Sequence, residues 1–404
     1  MITAFVNARI VCPVTGERTG TLVIDGEMIA ESDSAPAGAK IVDLQGRILA
    51  PALIDLGVFA VDPAACRAGG IARVGLMPDQ SPVLDDPGIV RRAALSGKPH
   101  LWVHPLAAAT RGLEGTDLAE MAINASAGAR AIATGRRWIA SSGTMHKVLA
   151  YARDNGLAVV THAEDSGLAE GKVATDGETA TRLGLPSAPA VAEALAIARD
   201  LMLAEETGAR LHFRQVTTAA GFDLIRAAKR RSVAVTCGIT PAHLLLSDNA
   251  VSDFRTFARL SPPLRDESDR QAALAAVADG TVDVIGSGHD PRGPEEKRLP
   301  FADAHAGMSG AETLLALALG LVRDERIQLP RLFALLAANP ARVLGLRAGT
   351  LEAGMPADLV VIDPDAPWQI VGERMVARAA NTPFDGLPVQ GKVLALYKGG
   401  TAIA

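Results

Sequence analysis

Between residues 50 and 346 the chain repeats one pattern, a short apolar run followed by a stretch rich in Ala, Leu, Arg and Glu. The runs cover residues 53–59, 72–77, 101–104, 129–133, 158–162, 210–217, 233–239 and 282–287. Near-continuous apolar runs fit strands buried on both faces. Eight of them, each trailed by a helix, is the count of a closed (β/α) barrel. Two of the helices are legible residue by residue. Val191, Ala194, Leu195, Ala198, Leu201 and Met202 recur at helical spacing, and Gly208 closes that segment. Residues 222–230 carry Leu224 and Ile225 and run into Lys229-Arg230-Arg231. Cations there complement a helix C-terminus and do not mark a nucleic-acid surface.

The two ends read differently. Residues 3–7, 10–11, 21–24 and 41–44 are strand-like, with turns at 13–16 and at Asp25-Gly26. Strand patterns return at 357–363 and 391–400. The economical reading pairs both ends into one sheet. The expected class is therefore α/β: a (β/α)8 TIM-like barrel over 51–346, plus a small β-sandwich domain built from 1–50 and 347–404. Gly69-Gly70 precedes a strand and reads as a turn, not a phosphate loop. The polar, Pro-rich segment 290–300 is expected as a mobile loop over the barrel mouth.

Aromatics make up only 3% of the 404 residues, so the core must come mainly from Ala, Leu, Val and Ile. A formal charge of -5 argues against nucleic-acid binding. Cys12, Cys66 and Cys237 lack metal-ligand spacing, which suggests a reducing compartment without disulfides. No signal peptide and no bilayer-spanning run is evident, so a cytoplasmic protein is expected.

Pro51-Ala52-Leu53-Ile54-Asp55-Leu56-Gly57-Val58-Phe59 resembles the frame P-G-L-I-D-x-H-x-H that ends the first barrel strand of cyclic amidohydrolases. Further segments look like motifs of the long bacterial dihydroorotases, in the same order. They are Met77-Pro78-Asp79-Gln80-Ser81-Pro82-Val83, Thr161-His162-Ala163-Glu164-Asp165, and Pro262-Pro263-Leu264-Arg265 with Asp269-Arg270. Asp279 to Ile285, Gly310-Ala311-Glu312-Thr313, Asn339-Pro340-Ala341-Arg342, Gly349 to Gly354 and Asn381-Thr382-Pro383-Phe384 complete the series. The resemblance covers nearly the whole chain.

What that resemblance implies about the site is largely loss. The family uses one or two zinc ions, which lower the pKa of a bound water from ~15.7 to about 7. Zinc requires imidazole, carboxylate or thiolate donors. The first-strand histidine positions hold Gly57 and Phe59, and the fourth-strand carboxylate position holds Thr134. The fifth-strand histidine is kept as His162. The sixth-strand histidine falls on Gln215 and the eighth-strand aspartate on Gly288. The family's substrate contacts fall on Val61, Asp79, Ser261 and Arg292. Val61 replaces an arginine, and Asp79 would repel an anion. His162 alone cannot hold a catalytic zinc, which takes about three protein ligands. It is expected as a hydrogen-bonded barrel histidine, and no catalytic residue, metal ligand or resident cofactor is assigned.

A rebuilt mononuclear site from His162, Asp79 and Asp290 is one alternative, with His289, His104, Glu164, Asp165 and Arg292 near the same mouth. The bland reading gives Asp165, Asp290 and Glu164 to helix caps and loop hydrogen bonds. His100, His146, His243 and His305 are expected to be structural or exposed.

Three functions follow. The first is a catalytically silent dihydroorotase-like protein of pyrimidine biosynthesis, oligomeric and paired, as the resemblance implies, with the aspartate transcarbamoylase catalytic subunit. The second is an active dihydroorotase or related cyclic amidohydrolase with a rebuilt zinc site. The third is a pyrimidine-precursor binding protein.

Overall fold

The structure is a computed structural model and describes residues 2–403. Eight parallel strands form the central sheet: β1 (Leu53–Val58), β2 (Ile71–Leu76), β3 (Trp102–Ala108), β4 (Ala131–Ala133), β5 (Ala158–Thr161), β6 (Arg210–Phe213), β7 (Val235–Ile239) and β8 (Val284–Ile285). They pair in sequence order from β1 to β8, each parallel to the next. All eight runs read from the sequence are strands here.

Between β8 and β1 the closing work falls to one buried side chain. Asp55, fully buried on β1, accepts the Ser287 backbone N–H at 2.8 Å and the Ser287 hydroxyl. One step further up, the Phe59 N–H donates to the His289 carbonyl at 2.9 Å. The barrel is thus sealed by side-chain and loop bonds where strand pairing stops.

The expected helices are present. Val191–Thr207 ends on Gly208, which adopts φ 70° and supplies the left-handed cap. Ala219–Arg230 ends on its basic run, but Lys229 does more than face the dipole. Its ammonium donates to the Thr281 carbonyl and to both oxygens of Asp283 at 2.7–2.9 Å, tying this helix to the entry of β8.

Both chain ends form one mixed sheet, as expected. Ile2–Cys12, Gly16–Asp25, Met28–Ile29, Lys40–Asp43 and Ile48–Pro51 come from the N-terminal end. Leu359–Gln369, Pro388–Lys398 and Thr401–Ile403 come from the C-terminal end. The ends meet where Leu359–Gln369 runs antiparallel to Ile48–Pro51. Asn7, at φ 52°, marks a bulge in the first strand, which the sequence pattern had read as two short pieces.

The sheet grips the barrel at the N-terminal ends of its strands. Arg73 on β2 donates to Asp358 at 2.7 Å, and Asp358 also accepts from Trp102 on β3. His104 belongs to this cluster, accepting from Arg73 at 3.4 Å. That corrects the expectation of His104 near the mouth: it lies in the N-terminal half of β3, paired with Gly75. Burial and the charge of Arg73 push its pKa down to about 3, so it is neutral. A second return comes from residues 371–385, inside the stretch assigned to the end domain. There the Arg378 N–H reaches Asp62 at 2.8 Å and the Asn381 carbonyl accepts from Ser309 at 3.0 Å, both on the barrel.

Candidate functional site

The C-terminal ends of the barrel strands gather the positions singled out from the sequence. Gly57, the penultimate residue of β1, has φ 92°, a conformation L side chains rarely take. A Cβ there would lie 3.2 Å from the Arg214 side chain, which packs over the glycine. Phe59 is buried, and its ring carries the Arg136 guanidinium at 3.6 Å and that of Arg214 at 5.2 Å from its centroid. Two cations share one aromatic ring where the family pattern puts two histidines.

Thr134, after β4, accepts the His162 N–H at 3.1 Å through its hydroxyl. His162 is buried, with Nε2 3.3 Å from Glu164 and Nδ1 3.5 Å from Arg214. It has protein neighbours on both ring nitrogens. Gln215 is buried after β6, and its Oε1 has no partner. Gly288, at φ 64°, leaves a side chain little space, since a Cβ would sit 3.0 Å from Met308 and from Thr240.

Asp290 is bridged by two arginines, Arg136 at 2.6 Å and Arg292 at 3.0 Å. Asp79 accepts the Arg136 backbone N–H at 2.9 Å, while its second oxygen is unpartnered. Burial raises the Asp79 pKa, against the pull of Arg136 and Arg214. Asp79 was expected to repel anions; with two guanidiniums beside it, the sign of the mouth is reversed. Arg214 is pulled down to about 10 by burial and by Arg136, and so stays charged at neutral pH. Val61 is half-buried against the main core, and Ser261 is exposed at the rim.

Behind this layer runs a buried ionic chain. Arg265 donates to Glu164 at 3.1 Å, to Thr217 at 2.9 Å and to Thr175 at 3.0 Å, and lies 3.5 Å from Glu193. Glu193, fully buried, accepts from the backbone and hydroxyl groups of Thr217 and Thr218. Glu164 therefore belongs to an ionic network, not a cap, whereas Asp165 does cap Ser166–Ala169 through Leu168. His289 accepts the Ala311 N–H at 3.3 Å and lies 3.7 Å from Asp62. His243 is buried, taking the Thr240 hydroxyl at 2.8 Å and donating to the Pro262 carbonyl at 3.1 Å. His100 is exposed, and His146 and His305 contact Glu206 and Glu296 at the surface. Segment 290–300 holds the short helix Pro294–Lys297, and the buried Lys297 ammonium donates to the Thr256 and His305 carbonyls.

Sequence reasoning missed Arg136 and Arg214. The available signal was their position: each lies within two residues of a lost donor, Thr134 and Gln215.

Zinc was tested against this donor set. Among the described residues, no three His, Cys, Asp or Glu side chains converge as a metal site requires. His162, Asp79 and Asp290, the trio weighed as a rebuilt site, instead face Arg214 and Arg136. Guanidiniums have no lone pair to donate and repel a cation, so the residues present do not fit the ion. What remains is a cavity of about 30 Å³ between Phe59, Arg214, Gln215, Gly288 and Met308, adjoining a larger one of about 490 Å³.

Residues 106–403 match the model of the Amidohydrolase family. The chain is 38% identical to a dihydroorotase of Pelotomaculum thermopropionicum, covering 98% of this chain and 97% of that one. This chain belongs to the dihydroorotase family of amidohydrolases. It is also 37% identical to a dihydroorotase-like protein of Pseudomonas putida, with 97% of each chain covered. Among solved structures, L-hydantoinase (dihydropyrimidinase) from Arthrobacter aurescens superposes with a TM-score of 0.88 at 23% identity, covering 100% of this chain and 96% of that one. That likeness speaks to the fold alone. The membership accounts for the scaffold segments that match the family pattern. Among the described residues no helix is long and apolar enough to cross a membrane.

Proposed function

We propose that this dihydroorotase-family protein does not hydrolyse a ring amide and serves as a structural and regulatory companion of the aspartate transcarbamoylase catalytic subunit in pyrimidine synthesis. One observation carries the loss of hydrolysis. The positions that would hold the Lewis acid are Gly57, Phe59, Thr134, Gln215 and Gly288, and the guanidiniums of Arg136 and Arg214 lie over Phe59. A guanidinium supplies positive charge but no open coordination position, so it cannot generate hydroxide from water at neutral pH. The companion role rests on the family resemblance and on an intact scaffold.

The test has two arms. The purified protein is assayed for bound zinc and for interconversion of dihydroorotate and carbamoyl aspartate, with and without added zinc. It is also mixed with the transcarbamoylase catalytic subunit and sized by light scattering. No turnover together with a stable complex supports the reading. Turnover removes the first half, and the absence of a complex removes the second.

A competing reading is an active dihydroorotase or related cyclic amidohydrolase. Its support is the identity of 35–39% over 93% or more of this chain to relatives named dihydroorotase. It predicts stoichiometric zinc and ring opening in the same assay.

A further inference from the structure

Barrels of this kind work at the C-terminal ends of their strands, and the N-terminal face ordinarily serves stability alone. In this chain the N-terminal face holds a cleft of about 230 Å³. Ala158, Arg210 and Val235, the first residues of β5, β6 and β7, line one side of it, and the helix Asn339–Val343 lines the other. The Asn339 amide donates to the Asp283 carbonyl at 2.8 Å, which fixes that helix against the entry of β8. The cleft is thus held between strands and an anchored helix.

Its interior is apolar and uncharged. Ala158 contributes only a methyl group, and Val233, Val235 and Val343 extend the apolar wall. His212, two residues deeper than Arg210 on β6, is buried, and its Nδ1 is engaged by the Thr236 hydroxyl at 2.8 Å. Burial and the charges of Lys229 and Arg214 push its pKa down to about 3, so the ring is neutral. Charge is confined to the rim. Arg210 and Arg342 are exposed there, and neither forms an ion pair among the described residues. Arg210 donates to the Gly156 carbonyl, and Arg342 to the Asn339 side-chain oxygen at 3.1 Å. The carboxylate lining the cleft, Asp283, is already held by Lys229 at 2.7 Å. Two guanidiniums without a carboxylate of their own therefore border an apolar interior.

That combination selects a ligand with an apolar body and one acidic end. An apolar cavity of about 150 Å³ admits a benzene ring, so this cleft has room for a ring and a short substituent. Guanidiniums meet a carboxylate bidentately. We propose that the N-terminal cleft binds a small aromatic carboxylic acid, its ring against Ala158, Val235 and Val343 and its carboxylate at Arg210 and Arg342. The proposal goes beyond the reading above: the cleft lies at the opposite pole from the mouth, and its ligand needs neither zinc nor a partner chain.

The intact protein is titrated calorimetrically with benzoate and, as a neutral counterpart, benzyl alcohol. Benzoate is expected to bind saturably at one per chain, with benzyl alcohol at least fivefold weaker. Arg342→Gln is expected to raise the benzoate Kd at least fivefold. The Arg342 side chain is exposed and bonds only within its own helix, so this variant tests the site even where the cleft-filling Ala158→Leu misfolds. Arg137→Gln, beside Arg136 at the mouth, is expected to leave the Kd unchanged. Absence of saturable benzoate binding overturns the proposal, as does equal affinity for benzyl alcohol. A Kd unchanged in Arg342→Gln, or raised in Arg137→Gln, also overturns it, because the acid then binds outside the cleft. None of these outcomes bears on hydrolysis or on complex formation.

Discussion

Replacing Arg265 by Met removes the cation at the centre of the buried chain without opening a large hole. Arg265 and Glu164 are 4% and 8% exposed, and their contact is 3.1 Å. Glu193 keeps its bonds from Thr217 and Thr218, so the loss concentrates on Glu164. Burial alone would raise the Glu164 pKa, but the His162 contact and the charge of Arg265 bring it from 4.5 down to about 2. That difference is worth about 3 kcal/mol to the folded state at neutral pH. Breaking a buried pair by deleting one partner costs about 3–5 kcal/mol. For 404 residues unfolding at about 2.1 cal/mol/K per residue, Arg265→Met should lower the melting midpoint by about 4–6 °C. The sign with pH follows. Glu164 titrates lower when folded, so its contribution is complete above about pH 5 and fades as pH falls toward 2. The gap between wild type and Arg265→Met should therefore narrow over that range, and Glu164→Gln in the Arg265→Met background should recover part of the loss at pH 7. Calorimetric melts of the three proteins between pH 3 and 8 test this. A loss below about 1 kcal/mol at pH 7, or a gap that widens with acid, refutes the account.

Three further outcomes follow from the mouth and the seam. Gly57→His should destabilise by about 1–2 kcal/mol, because its φ of 92° and the Arg214 side chain 3.2 Å away both oppose a side chain; zinc bound per chain, measured by mass spectrometry, should not rise. Phe59→Leu removes the ring under two guanidiniums and should cost about 1–3 kcal/mol in urea unfolding, with most of that coupling lost in an Arg136→Met background. Asp55→Ala leaves two Ser287 donors unmet between β8 and β1 and should cost about 2–4 kcal/mol, with faster amide exchange at Ser287 and Phe59 than in the remaining strands.

The barrel was legible because each strand is a local apolar run, and a strand buried on both faces leaves no alternation to misread. Strand ends were less so: residues 214–217 read as part of the sixth run, but they form the loop after β6. The Arg214 and Val216 amides still donate to the Thr161 and Gly238 carbonyls, but those of Thr217 and Thr218 turn to Glu193, a helix residue, and long-range capping of that kind leaves no local signature. The departures at Gly57, Phe59, Thr134, Gln215 and Gly288 were visible by position. Their replacement by Arg136 and Arg214 was not, because an arginine beside a strand end ordinarily points to solvent. It takes the packing of Arg214 over a side-chain-less Gly57 to see that the guanidinium turns inward. His104 went wrong for a related reason. A histidine in a buried run reads the same at either end of a strand, and only the register against Gly75 and the reach of Arg73 to Asp358 put it at the far end.

The arginines beside these positions separate two things a zinc ion does at once. A metal concentrates positive charge, which orients anions, and it offers a vacant coordination position, which acidifies water. Guanidiniums such as those of Arg136 and Arg214 can do the first but not the second, since a guanidinium holds its protons far above neutral pH. Even with burial and its neighbour working against it, Arg214 falls only to about 10. Asp290 and Asp79 then serve the opposite purpose from metal ligation, holding Arg136 in place through its side chain and its backbone N–H. On the proposed reading, a mouth built this way supplies positive charge without a coordination position that acidifies water, and the zinc and ring-opening assays decide between binding and turnover.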